Sequence, residues 1–237
     1  MNHLRNGSLY ISEGDTSSIV RYIQRKLSIE PDSNFGPGTR DAVVSFQSEN
    51  GLTPDGIVGV SSFLVICADE IEIRFNRTMQ KLKIELSSSI ENLKVLFECK
   101  AISGLPAAHT RVSELIREGR KDLSMETNYM SIEYDGVSDV GPIPDGSYDL
   151  TLTQDMPFQK TEGGWGVGGW YLDPGYFSRG FYRLGWTRGG FFLHHDGNGL
   201  GTGGCIGVSE GRNILRIQSI LTTYQDIGNS SIEIIVA

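Results

Sequence analysis

The 237-residue sequence is short of the groups that tie a chain to several common classes of protein. Twenty-one Lys and Arg face 29 Asp and Glu, giving a formal charge of -8. Phosphate binding draws on clustered cations that release counterions; no basic stripe is present, so nucleic acid is not an expected partner. The opening residues, Met1-Asn2-His3-Leu4-Arg5-Asn6-Gly7-Ser8-Leu9-Tyr10, lack the run of about 7–15 apolar residues of a secretory leader. No stretch approaches the roughly 20 apolar residues of a membrane span. Neither export by the usual signal route nor a membrane span is expected. Three cysteines, at 67, 99 and 205, form an odd set without short repeated spacing, which is neither a disulfide framework nor a zinc pattern. The four histidines, at 3, 109, 194 and 195, lack the spacing of a helical zinc site, so no metal or other cofactor is expected.

What is present begins with a helical pattern. Ile19, Ile23 and Leu27 recur every fourth residue behind the capping oxygens of Gly14-Asp15-Thr16-Ser17, which predicts a first helix over about residues 16–28. The turn-rich stretch Pro31–Gly38 leads to Thr39 as the expected N-cap of a second helix bearing Ala42, Val43 and Phe46 on one face and closed by Gly51. After the turn Pro54-Asp55-Gly56-Ile57-Val58-Gly59, a short helix over about 61–67 would complete a three-helix bundle.

Gly14-Asp15, Ile23-Gln24, Leu27, Asn34-Phe35-Gly36-Pro37, Thr39, Ala42-Val43, Phe46-Gln47 and Asn50-Gly51-Leu52 through Gly59 resemble the peptidoglycan-binding-domain-1 family. The resemblance implies a domain over 10–68 that holds the protein on the cell wall, with Phe35 and Asp55 as candidate ligand contacts. Phe35, Phe46, Leu52 and the glycines also explain themselves as core and turns.

Beyond Asp69 the period changes from helical to alternating: Ile71–Phe75, Leu82–Leu86 and Leu93–Cys99 read as consecutive antiparallel strands. Cys67 and Cys99 sit in apolar runs and read as small buried hydrophobes. The segment 108–128 reads as a helical insertion or a loop, and strands resume near 147–153 after Gly141-Pro142-Ile143-Pro144-Asp145-Gly146. Glycines and aromatics crowd 163–190, Trp186 among them, and suit a groove for a flexible glycan or peptide, or the edge loops of a barrel.

Cys205 has different neighbours from the other two cysteines. The apolar Phe191-Phe192-Leu193 ends in His194-His195-Asp196, a loop with glycines at 197, 199, 201, 203 and 204 follows, and Cys205-Ile206-Gly207-Val208 opens another apolar run. A thiol attacks a carbonyl as thiolate, so it needs a base within reach. The glycine-rich loop lets the chain double back and bring a histidine to the cysteine. Backbone N–H groups around Gly203, Gly204 and Cys205 could then stabilise an oxyanion. Adjacent strand residues face opposite sides, so one histidine meets the thiol. His194, directly after the apolar run, is favoured, with His195 orienting the loop or the roles reversed. Asp196 either steadies a histidine or is a turn residue.

His194, Thr202, Gly204, Cys205 and Ile206 resemble the signature of the L,D-transpeptidase catalytic family, a histidine after an apolar strand and then Ser/Thr-x-Gly-Cys-Ile/Val. Ala101–Gly104 and Gly141–Tyr148 are similar to that family too, in particular to its toxin-like branch without secretion signals. The resemblance implies an α+β multidomain protein: the three-helix domain, then a mainly antiparallel β catalytic domain over 71–237. It implies an enzyme whose Cys205 attacks the carbonyl between meso-diaminopimelate and terminal D-alanine of peptidoglycan stems. Water, a D-amino acid or a second stem then resolves the acyl-enzyme. Many members carry Arg two positions after the cysteine, where this chain has Gly207; Arg183, Arg188 and Arg212 are the candidates to replace it, with Asp196, Arg188 and Trp186 as substrate contacts. Peptidoglycan is the expected partner. An antibacterial effector, delivered by a secretion machine into the periplasm of a target bacterium and countered by an immunity protein, is the expected setting. A phage-borne lytic protein and a non-catalytic wall-binding protein are the alternatives.

Overall fold

The computed structural model describes residues 4–5, 8–67, 71–90, 93–152, 169–173, 191–196 and 201–237. A helical N-terminal part is followed by a larger, mainly antiparallel β part, an α+β organisation. The strands are β1 (Leu4–Arg5), β2 (Ser8–Ile11), β3 (Val58–Gly59), β4 (Ile71–Asn76), β5 (Lys81–Ile90), β6 (Leu93–Gly104), β7 (Gly146–Thr151), β8 (Gly169–Asp173), β9 (Phe191–His195), β10 (Thr202–Val208) and β11 (Ser231–Val236). The α-helices are α1 (Ser18–Lys26), α2 (Pro37–Glu49), α3 (Val60–Ile66), α4 (Thr110–Arg117) and α5 (Gly211–Asp226). The chain divides into two compact units, Met1–Glu72 with Lys83–Glu98 and Gln218–Asn229, and Ile73–Leu82 with Cys99–Ile217 and Ser230–Ala237.

In the first unit, Ser17 caps α1, its Oγ accepting from Val20 N at 3.3 Å, and Arg25 and Lys26 lie at the carbonyl end where the helix dipole favours cations. Helix α2 starts two residues earlier than the expected cap: Gly36 is the N-cap, Pro37 takes the first helical position, and Thr39 lies inside the first turn. Thr39 is buried because its hydroxyl serves Gln24, whose Nε2 also reaches Asp32 Oδ1 at 2.7 Å and Asn34 O at 3.0 Å while Oε1 accepts from Ser33 N. Twenty-three residues later the same set recurs. Gln47 Nε2 reaches Asp55 Oδ1, Ile57 O and Ser62 Oγ, and its Oε1 accepts from Gly56 N. In both sets the partners lie 8, 9, 10 and 15 positions beyond the glutamine. The helical part is therefore an internal duplication, each half built on one 99 % buried glutamine that satisfies a loop's polar groups. The short pair β2–β3, with Tyr10 opposite Gly59 and Ile11 opposite Val58, adds strands that the helical pattern does not announce.

In the second unit, strands hydrogen-bond in the order β6–β10–β9–β8–β7–β11–β4. Most neighbours are antiparallel; β9–β10 and β4–β11 are parallel. Buried Ile73, Tyr148, Leu172, Leu193, Ile206 and Ile234 form part of the core, with Tyr148 edge-on to Phe191 at 6.0 Å between ring centroids. The turn 141–146 is fastened to the end of β6, Ile143 N donating to the buried Ser103 Oγ at 2.8 Å, and Tyr148 Oη donates to Pro144 O at 2.9 Å. The segment 108–128 contains helix α4 and belongs to a small core of Leu105, Val112, Leu115, Leu123, Tyr129 and Val140.

Candidate active site

Strand β9 carries the histidines and β10 the cysteine. Their parallel register pairs Leu193 with Ile206, His194 with Gly207 and His195 with Val208. Cys205 lies two residues before Gly207, the partner of His194, where the regular register of β10 begins, while His194 and His195, adjacent on β9, face opposite sides. Leu193 and Ile206 are wholly buried, and Cys205 is half-buried. Cys67 and Cys99, by contrast, are 2% and 6% exposed.

Parallel strands usually need a crossover of a dozen or more residues, and this connection is shorter. Against β6, Thr202 pairs with Gly104 and Gly207 with Ile102, so five steps along β10 cover two along β6. The excess is taken up as a bulge around Gly203, Gly204 and Cys205, of the kind that re-aims a side chain. Gly204 has φ +110, a region that favours glycine, and the buried Thr202 donates its hydroxyl to the carbonyl of Cys205.

His194 is 7% exposed, and its Nδ1 lies 2.9 Å from the carbonyl oxygen of His195. A carbonyl only accepts, so in the neutral ring Nδ1 carries the hydrogen and Nε2 is left as the base. Burial holds the pKa of this imidazole below its ordinary value, keeping the ring neutral near pH 7. On the other face, His195 lies beside Gly211, where an added Cβ would be 3.7 Å from Nε2, and its buried Nδ1 has no hydrogen-bond partner among the described residues. Asp196 accepts from Gly201 N at 3.1 Å, and burial raises its pKa against that hydrogen bond.

The absence of an arginine at 207 has a steric cause. A Cβ there would lie 2.7 Å from the Thr202 methyl and 2.9 Å from Asp196 Cβ, leaving no room for a side chain. Arg212 is 77% exposed and bound to Glu210 at 2.7 Å. Arg183, Arg188, Trp186 and the glycines at 197 and 199 lie outside the described residues.

Of the two candidates in the helical part, Phe35 is not a surface contact: its ring is completely buried, because the loop preceding α2 folds its one large apolar group inward. Asp55 is exposed, with Oδ1 accepting from Gln47 Nε2 and Ile57 N, each at 2.9 Å. Among the described residues no grouping of His, Cys, Asp and Glu could hold a metal ion, and no helix is long and apolar enough to cross a membrane.

One neighbour of the site has no signal in the sequence. The carbonyl of Asp139 lies so close to Gly203 that any Cβ there would collide with it. Asp139 sits 66 positions from the cysteine, in a stretch with no spacing or composition that points to a site.

Residues 16–61 match the family described as "Putative peptidoglycan binding domain". The zinc D-Ala-D-Ala carboxypeptidase of Streptomyces albus G is 39% identical over 61 residues, which are 22% of this chain and 24% of that protein. The chain thus spans about a quarter of the length of that curated relative. Similar solved structures include an L,D-transpeptidase from Xylanimonas cellulosilytica (TM-score 0.35, 16% identity, 99% of this chain and 100% of that one). An L,D-transpeptidase from Stackebrandtia nassauensis has a TM-score of 0.37 at 10% identity, over 96% of this chain and 94% of that one. The helical cell shape determining protein Pgp2 from Campylobacter jejuni has a TM-score of 0.41 at 18% identity, over 70% of this chain and 47% of that one.

Proposed function

We propose that the protein is a peptidoglycan-acting cysteine enzyme, an L,D-carboxypeptidase or L,D-transpeptidase, with a wall-binding domain over 10–68 and a catalytic domain over 71–237. The observation that carries the reading is the pairing of His194 with Gly207, two residues from Cys205 on the neighbouring strand, together with a His194 tautomer that leaves Nε2 as the base. The peptidoglycan-binding match over residues 16–61 supports the choice of substrate.

In this mechanism His194 Nε2 takes the Cys205 proton, and the thiolate attacks the carbonyl that joins diaminopimelate to terminal D-alanine. Backbone N–H groups of the bulge hold the oxyanion. Collapse breaks the C–N bond, the departing D-alanine amine receives the proton from His194, and a thioester remains. Water releases a tripeptide stem, a D-amino acid exchanges the terminus, and a second stem's amine forms a crosslink. Thr202 supports the bulge through the Cys205 carbonyl. Asp196 is proposed to line the substrate side, as are Arg188 and Trp186.

The substrate lies in the wall, so we place the protein's action there, as an effector in the periplasm of a target bacterium with an immunity protein and a secretion-machine component as partners. Periplasm-directed expression should damage cells in a Cys205-dependent manner, and loss of damage on co-expression of a genetically linked partner would identify the immunity protein.

The test of the chemistry is mass spectrometry of purified tetrapeptide muropeptides incubated with wild type and Cys205→Ala, with and without added D-amino acid. Loss or exchange of D-alanine by wild type alone is expected. Intact stems with both proteins across several substrates would leave a wall-binding protein without catalysis.

A further inference from the structure

The bulge that bears Cys205 is held from outside its own sheet. A Cβ on Gly201 would lie 2.6 Å from Pro106 Cδ, and one on Gly203 would strike the carbonyl of Asp139, so the segment between 105 and 140 meets the entry of β10 at two points. Pro106 and Asp139 each adjoin in sequence a member of one small core, Leu105 and Val140, and Leu105 N donates to Val140 O at 2.8 Å.

Asp139 itself adopts φ +69, an unfavourable conformation for a residue with a Cβ, so something must hold it there. Arg120 does. Its Nη1 reaches Asp139 Oδ2 at 3.1 Å and Ser138 O at 3.4 Å, while Nε and Nη2 grip both oxygens of Asp122 at 2.9 and 2.8 Å. Ser138 Oγ adds a hydrogen bond to the same Asp139 oxygen at 3.2 Å. The two-pronged grip holds the Asp122 carboxyl down to about 2, so the cluster keeps its charge throughout the neutral range. All of these side chains are partly exposed, and exposed ion pairs contribute little to stability. The geometry they fix is worth more than their energy.

We propose that Arg120 and Asp139 form a positioning clasp that sets the backbone of Gly203–Cys205, and through it the attack geometry of the thiol. The inference rests on the reading of Cys205 as the nucleophile. Neither residue touches the reacting atoms. Both act through Gly203.

The test compares wild type, Arg120→Gln, Asp139→Asn and the double variant in D-alanine release from tetrapeptide muropeptides, with thermal melting and the pH dependence of Cys205 alkylation by iodoacetamide followed in the same proteins. Each single variant should lower kcat by about tenfold or more, since small misplacements of a reacting group are that costly. KM should stay within about twofold, melting should be unchanged, and the double variant should be no worse than the singles because the two act as a unit. The midpoint of alkylation should move in the variants. Where wild type turns over, kcat decides: variants equal to wild type, or losses that track a lower melting temperature, overturn the clasp and leave the nucleophile reading standing. Where wild type turns over nothing, the nucleophile reading falls, and the alkylation profile decides the clasp, an unchanged profile overturning it.

Discussion

The helical duplication and the β9–β10 pair solve opposite problems with buried polar groups. In the first, Gln24 and Gln47 each have their amide oxygen and nitrogen satisfied by loop partners, twice over and with the same spacing. In the second, His195 Nδ1 is buried with no partner among the described residues, burial displaces the pKa values of His194 and Asp196, and the backbone is kinked by a bulge. A scaffold gains by completing its hydrogen bonds; a reactive site keeps groups poised, and the rest of the fold must hold them there. Substitutions should therefore separate stability from chemistry according to region.

The largest expected effect is on chemistry. His194→Gln retains a donor for the His195 carbonyl but no base, and should reduce turnover by about 10²–10⁴-fold while the protein stays folded. His195→Gln, on the opposite face, should cost much less; the reverse order would exchange the two roles. The same imidazole predicts a pH dependence. Because the fold lowers its pKa, the unfolded chain binds more protons as pH falls below about 6.5. Stability is thus complete above that value and declines through the acid window, and the acid limb of activity should also lie below 6.5. A limb well above it would mean that a different group titrates.

Next comes the scaffold. Gln24→Ala and Gln47→Ala each remove a buried amide that holds a loop together and leave a buried hydroxyl, Thr39 or Ser62, without it, and each should cost about 2–4 kcal/mol in chemical unfolding. Their near-equality is the sharper claim, since the duplicated partners are the same in kind and spacing. If the two costs differ by more than about twofold, the duplication is one of shape and not of energetics. Turnover of a soluble muropeptide should be unaffected by either at temperatures where the protein is folded.

Between these lies Gly203→Ala, which pits a new Cβ against the main chain of Asp139. Backbone cannot swing aside as a side-chain end can, so a stability cost of about 1–3 kcal/mol is expected, together with a fall in kcat. Loss of stability with kcat intact would show that the bulge can move without consequence for the thiol.

The same contrast explains what could be read from the sequence. Periodicity located α1 and α2 and the runs that form β4, β5 and β6, because their apolar residues recur at 3.6 or 2. That the strands carrying His194 and Cys205 lie side by side was legible, because two apolar runs flank a glycine-rich loop. Thr39 misled, because a threonine ahead of a helical stripe looks like a cap, whereas here it answers Gln24 from inside the first turn. Phe35 stood open between ligand contact and core, and its buried ring answers for the core. The parallel pairing of β9 with β10, the duplication hidden in two glutamines and the approach of Asp139 to Gly203 left no local mark: each depends on residues brought together by the fold, and neither alternation nor composition encodes a register.

The smallest expected effect tests whether the duplicated scaffold carries ligand contacts beyond its own needs. Gly38 lies exposed in the first turn of α2, with nothing within 4 Å of an added Cβ and no unusual φ. Its counterpart 23 residues later, Ser61 in α3, shows that the duplicated position accepts a side chain. Gly38→Ala should therefore raise stability by about 0.5 kcal/mol, chiefly by restricting the unfolded chain. Binding to insoluble peptidoglycan, measured by pull-down across a range of protein concentrations, should not change. Weaker binding from a more stable protein would mean that a glycan or peptide approaches the α2 backbone at this point, and would turn an exposed glycine of the scaffold into part of the wall-binding surface.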